Sequence, residues 1–222
     1  MVAISKYSPL FHITLLIINL FLFFSYLQVP MGSRTFIQKF FYLTNWNEIL
    51  IIFYYLSAIF KDIKSYISNV HKTFSLNMIL YRSIIPFSLL VSISYWVMLY
   101  FNPALLSGKK IGLKVPFYLD FWMHLGNSFL FALEILIDKE KKRNFKSSTI
   151  SFFVTTSITV IYILALLAHF FIYGRHVYPF LKLLGWPKFA LACLIIVILI
   201  NFIRFGLEKI VDCLKIEKEH EA

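Results

Sequence analysis

The sequence predicts an all-α, polytopic membrane protein: one bundle of six transmembrane helices with both termini in the cytosol. Three observations carry this. First, 59% of the 222 residues are hydrophobic and the mean hydropathy is +0.76, where soluble domains are about 45–50% apolar. Second, a hydrocarbon core of ~30 Å needs about 20 helical residues, and windows near 10–28, 41–60, 79–101, 116–137, 149–173 and 189–208 supply them. Third, most cations fall between these windows or near their ends. Strands are excluded, because the apolar runs are continuous rather than alternating and an open sheet edge has no partner in lipid.

The first window lacks a small-residue cleavage site and reads as an uncleaved span. Pro30 and Gly32 break the chain after it. The second window opens on Phe41 and runs to Phe60. The third contains Pro86, expected to kink it, and ends before Asn102-Pro103 and Ser107-Gly108. Pro116 opens the fourth, where its missing N–H is harmless. Gly174 follows the fifth, and Gly185-Trp186-Pro187 precede the sixth. Trp96, Tyr100, Trp122, Tyr173, Tyr178 and Trp186 suit an interfacial aromatic belt, and segment 174–188 reads as a surface or re-entrant stretch. No repeat and no linker divides residues 1–222, which form one domain.

The 22 Lys and Arg residues orient the bundle. With Arg82 and Arg204 snorkelling from helix ends, 14 lie on the side of the termini and 8 on the other. The positive-inside rule puts the former in the cytosol. The net charge of +11 is therefore a topology signal rather than a nucleic-acid footprint. Cys193 and Cys213 give neither a disulfide framework nor a metal spacing, so no metal and no cofactor is expected. A haem held by His124 and His169 fits on depth alone, without a second histidine pair.

The fourth window carries Asp120, His124, Asn127, Ser128 and Glu134. On an ideal helix these lie within roughly 80° of His124, as one polar stripe. An ionisable group at bilayer depth costs on the order of 2.5–3.5 kcal/mol, so the stripe must face protein or a wet cavity. The second window begins with Thr44, Asn47 and Glu48 on one face. Thr44 and His124 share a leaflet, at depths differing by ~6 Å on ideal helices. Each also has a structural reading. A membrane threonine often bonds the carbonyl one turn back, and a membrane histidine often joins helices. Asp120, four residues before His124, orients the ring or belongs to an interhelical cluster. Glu134 falls in the other leaflet. Asn201, Arg204 and Glu208 read as an anchored, solvated helix end.

Several residues together resemble the androgen-induced-protein-like family of multi-pass membrane proteins. They are Pro30 with Leu43-Thr44, Pro86 with Trp96, Met123-His124 with Glu134, Val177-Tyr178-Pro179-Phe180-Leu181 after Gly174, and Asn201-Phe202. The resemblance implies six spans in the endoplasmic reticulum, with the plasma membrane as the alternative. It also implies hydrolysis of fatty acid esters of hydroxy fatty acids, a lipid substrate taken from the bilayer. Thr44 matches the family's nucleophile and His124 its assisting histidine. Asp120, Asn47, Asn127, Ser128 and His169 are the candidate supporting residues, Asn47 and Asn127 as oxyanion donors. Asn47 stands where the family often has an acidic residue, and His169 matches only approximately. The rival reading is a non-catalytic transporter or scaffold with a structural polar stripe.

Overall fold

The computed structural model describes residues 3–29, 35–68, 76–101, 115–137, 149–178 and 180–219. Pro30, Gly32, Arg34, Lys72, the breaks and lysines within 102–114, the cations of 139–146 and Pro179 lie outside them. The described elements are helical. Helix α1 covers Ala3–Gln28, α2 Phe36–Lys39, α3 Leu43–Ser68 and α4 Leu76–Phe101. Helix α5 (Phe117–Phe121) passes through a π-helical turn (Trp122–Gly126) into α6 (Asn127–Ile137). Helix α7 covers Thr149–Tyr173, and α8 covers Leu181–Glu219 with a bend at Gly185, where φ is 65°.

Four helical stretches are long and apolar enough to cross a membrane: Pro9–Gln28, Leu76–Phe101, Thr149–Tyr173 and Leu184–Val211. They correspond to four of the six windows. The other two windows are helical as well, in α3 and in α5 through α6, but they carry more polar residues. The reason is visible in the packing. Asn45, Asn47, Glu48, His124 and Asn127 are buried inside the bundle, so these two elements need less apolar surface. The outward faces of α1 and α7, by contrast, expose Phe21, Phe24, Phe153 and Phe171, a surface suited to lipid rather than water.

The main core joins α1, α3, α4, α6 and α8 through Leu15, Ile51, Tyr54, Tyr55, Tyr81, Ile84, Phe131 and Val211. Its centre is aromatic. Tyr54, Tyr81 and Phe131 pack with centroids 5.3–5.7 Å apart, within the range in which ring pairs add to burial. The phenols are not left bare. Tyr54 donates to Glu134 at 2.7 Å and Tyr81 to the Phe131 carbonyl at 3.0 Å. Pro86 lies buried in α4, which remains helical through it. Arg204 and Glu208 are also buried. The expected solvated helix end is absent there, because α8 packs on α4 and α7 at this point.

One lysine fixes how the chain enters α3. Thr35 caps α2 in a reciprocal capping box with Gln38. Lys39, buried at the end of α2, donates to the carbonyls of Leu27 and Val29 at the end of α1. Those carbonyls lie where a helix runs out of its own donors. Burial pulls the Lys39 ammonium below its ordinary pKa. Replacing Lys39 by Met removes both bonds and is expected to cost about 1–3 kcal/mol. A thermal unfolding scan in detergent checks this through a lowered midpoint.

Candidate active site

Thr44 stands in the first turn of α3, and the start of that helix is held from outside. The backbone N–H of Leu43 donates to the Tyr178 hydroxyl at 2.8 Å. Tyr162 of α7 donates to the Phe41 carbonyl at 3.3 Å and to Tyr178 at 3.4 Å. Tyr42 and Tyr178 meet edge to face at 5.5 Å, and Asn45 donates to the Lys39 carbonyl at 2.6 Å. The first N–H groups of a helix lack intrahelical acceptors, and here a phenol serves as one. Tyr178 belongs to the Tyr-Pro-Phe-Leu string, so that string helps to set the position of Thr44.

His124 lies in the middle of the π turn. One extra residue per turn interrupts the α register there, a feature frequent at functional sites. The stripe expected on an ideal helix is therefore not continuous. Asn127, Ser128 and Glu134 lie after the turn and are offset from Asp120. Gly126 closes the turn, because a Cβ there would meet the Trp122 ring at 3.0 Å.

The side chains of Thr44 and His124 meet. Thr44 Oγ1 lies 3.1 Å from His124 Nε2, and both residues are buried, at 7% and 4% exposure. The other ring nitrogen, Nδ1, lies 2.9 Å from the Asp120 carbonyl oxygen and 3.2 Å from its carboxylate. Both neighbours are acceptors, so Nδ1 carries the proton and Nε2 has a free lone pair. Thr44 then donates to Nε2. Back-bonding to a carbonyl four residues earlier is seen instead at Thr14 and Thr159. Both ring nitrogens of His124 are engaged, so axial ligation of a haem would have to break one of these contacts.

Tyr95 of α4 completes the arrangement. Its ring stacks on His124 with centroids 3.5 Å apart and planes 12° from parallel. Its hydroxyl donates to the second Asp120 oxygen at 2.6 Å. One residue thus restrains both the ring and the carboxylate that orients it. Tyr95 was not singled out from the sequence. A depth comparison could have found it, since it lies six residues, ~9 Å, from the end of α4, near the level of His124.

The remaining candidates fall elsewhere. Asn47 accepts from Ser88 at 2.9 Å, and Asn127 donates to Glu48 at 2.5 Å. Ser128 pairs with Ser92 at 2.7 Å. His169 lies 2.9 Å from the Arg175 carbonyl and packs on Phe41. Glu134 accepts from Tyr54 in the aromatic core. Among the described residues no three His, Cys, Asp or Glu side chains converge as metal ligands. A cleft of about 250 Å³ opens beside Thr44, lined by Leu43, Val91, Ser94, Tyr95, Met98 and Tyr178. Asn47 and Asn127 do not line it. Its hydroxyl-bearing walls are Thr44, Ser94, Tyr95 and Tyr178, and Ser94 already donates to the Leu90 carbonyl at 2.5 Å.

A buried hydroxyl bonded to a basic imidazole, which a carboxylate holds from behind, is a nucleophile–base–orienter geometry. It occurs inside a protein whose helices suit a membrane. No curated protein sequence and no solved structure matches the chain. The model of one family, FAR-17a/AIG1-like protein, matches residues 7–212. That stretch holds Thr44, Tyr95, Asp120, His124 and Tyr178, and the chain is a membrane protein that belongs to the FAR-17a/AIG1-like family.

Proposed function

We propose that the protein is an integral-membrane lipid-ester hydrolase acting on fatty acid esters of hydroxy fatty acids, with Thr44 as nucleophile and His124 as base. The observation that carries this is the 3.1 Å contact from Thr44 Oγ1 to the histidine nitrogen that Asp120 leaves basic. In the first half-reaction Nε2 takes the hydroxyl proton as Oγ1 bonds to the ester carbonyl carbon. Collapse of the tetrahedral intermediate breaks the ester C–O bond. The imidazolium returns its proton to the departing oxygen, and a hydroxy fatty acid leaves. Water then gives a proton to Nε2 and attacks the acyl carbon. Thr44 Oγ1 departs, recovers its proton, and the fatty acid is released. One ester and one water thus become two acids.

The other residues prepare that exchange. Asp120 keeps the proton on Nδ1 and stabilises the imidazolium while it exists. Tyr95 holds Asp120 in place and covers one face of the ring. The cleft beside Thr44 is small and partly open. It takes the ester group, and the acyl chains stay against the apolar outer faces of the helices. A substrate that never leaves the bilayer needs no deeper pocket.

In this reading α3 and the α5–α6 element are the second and fourth of six spans, both termini are cytosolic, and the membrane is that of the endoplasmic reticulum. The site then lies in the lumenal leaflet. A non-catalytic role is the second reading. It is favoured by the interhelical pairs Asn47–Ser88 and Ser92–Ser128, which join helices without any chemistry.

Three outcomes separate the two. With a branched fatty acid ester of a hydroxy fatty acid, Thr44→Ala and His124→Ala should each lower kcat by about 100-fold or more. Circular dichroism should show the helix content unchanged, and retained hydrolysis in both variants would overturn the assignment. A fluorophosphonate should label Thr44 in the wild-type protein, with labelling lost in His124→Gln, as peptide mass spectrometry would show. No adduct at Thr44 favours the scaffold. Tyr95→Phe keeps the stacked ring but frees Asp120, so kcat should fall about tenfold with KM unchanged.

A further inference from the structure

Toward the opposite end of the bundle, α4, α7 and α8 enclose buried polar groups that the proposed hydrolysis does not use. Arg82 of α4 and Arg204 of α8 are 9% and 7% exposed. Arg204 donates to Glu208, one turn along α8 and itself buried. Ile85, one turn from Arg82 on α4, packs in one core with Leu207 and Val211, which flank Glu208 on α8, so the three side chains share one neighbourhood. Among the described residues one carboxylate therefore faces two guanidinium groups, which leaves an excess positive charge there.

The donors there are also unsatisfied. Among the described residues, Arg82 Nε and Arg204 Nε are buried without an acceptor. So are the hydroxyls of Ser83 and Thr155, residues with no exposed surface. Buried polar atoms in a folded protein nearly always have partners. These four residues are on three helices in mutual contact. Arg204 lies over the Phe152 ring at 5.6 Å, one turn before Thr155 on α7, so the two share one level. At that level a guanidinium fork meets either solvent anions or a lipid headgroup.

We propose that Arg82 and Arg204 form a binding site for a phosphate-bearing anion, either the headgroup phosphate of an anionic phospholipid or free phosphate. A single negative charge balances the excess cation. Several acceptor oxygens on one centre match planar guanidinium donors better than they match an ammonium. The Ser83 and Thr155 hydroxyls add donors at the same level. The proposal does not depend on the hydrolytic reading, since no residue is shared with it.

Native mass spectrometry of the purified full-length chain in detergent tests this. Dilauroyl phosphatidylglycerol, dilauroyl phosphatidylcholine and inorganic phosphate are titrated separately. One phosphatidylglycerol should be retained saturably per chain, about tenfold tighter than phosphatidylcholine. Arg82→Gln and Arg204→Gln should each weaken it about tenfold, the loss expected for one charge-assisted contact. Lys209→Gln, an exposed cation on the same helix, should leave it unchanged. Saturable inorganic phosphate binding with the same two-arginine dependence, and no lipid preference, assigns the source to free phosphate. Absence of a saturable site for either probe on the wild-type chain overturns the proposal, whether or not the variants fold. So does equal binding by wild type and both glutamine variants.

Discussion

Lipid offers no hydrogen bonds, so every polar side chain that enters this bundle has to be answered by another helix or by its own backbone. Helix α3 shows the consequence most fully. Down one face it presents Thr44, Asn47, Glu48 and Tyr54. Each is met by a side chain of α4 or of the α5–α6 element: His124, Ser88, Asn127 and Glu134 in turn. The pairs fix the rotation of α3 about its axis. They also fix its height, because a shift of one residue would mismatch all four at once. The aromatic core around Tyr54, Tyr81 and Phe131 then fills the space that this alignment leaves. Packing and polar pairing therefore specify the same arrangement, which is what a unique native state requires.

The candidate site is one rung of that ladder with a difference. Asn47–Ser88 and Ser92–Ser128 join two groups whose chemistry is inert at neutral pH. Thr44–His124 joins a hydroxyl to an imidazole whose second nitrogen is already committed to Asp120. The π turn contributes here, because it carries His124 through a local change of register while the flanking helix remains intact. Tyr95 then closes the face of the ring. A histidine that only joined helices would need neither a carboxylate behind it nor a stacked cover. Those two additions are what distinguishes the Thr44–His124 pair from the other polar pairs, and they suit the proposed hydrolysis.

Much of this was legible in the sequence, for identifiable reasons. Continuous apolar runs of span length marked the helices, and the depths of Thr44 and His124 could be compared because an α-helix rises by a fixed amount per residue. The i, i+4 spacing brought out Asp120. Other features were hidden because they depend on tertiary contacts. A π turn has no reliable sequence signature, so the offset of Asn127, Ser128 and Glu134 could not be read. Tyr95 looked like any aromatic residue near a span end, since its role comes from a ring on another helix. Arg204 and Glu208 read as solvated because their burial comes from the packing of α8 on α4 and α7, which the sequence does not display. Hydropathy also cannot tell a polar group facing lipid from one facing a partner, and α3 and α5–α6 are the elements where that matters most.

The two polar regions of the bundle differ in how their central groups are engaged, and the difference has a physical meaning. Both ring nitrogens of His124 are engaged, one by Thr44 and the other by Asp120, so the ring is restrained in position before any substrate arrives. Such preorganisation lowers the reorganisation that a proton transfer would otherwise require. Around Arg82 and Arg204, among the described residues, one carboxylate stands against two guanidinium groups, and neither Nε has an acceptor. A group arranged to act on a transient species needs its contacts complete in the resting protein. A group arranged to hold something needs contacts left open for it. On that criterion the first region fits the proposed reaction centre, and the second the proposed receptor for an anion.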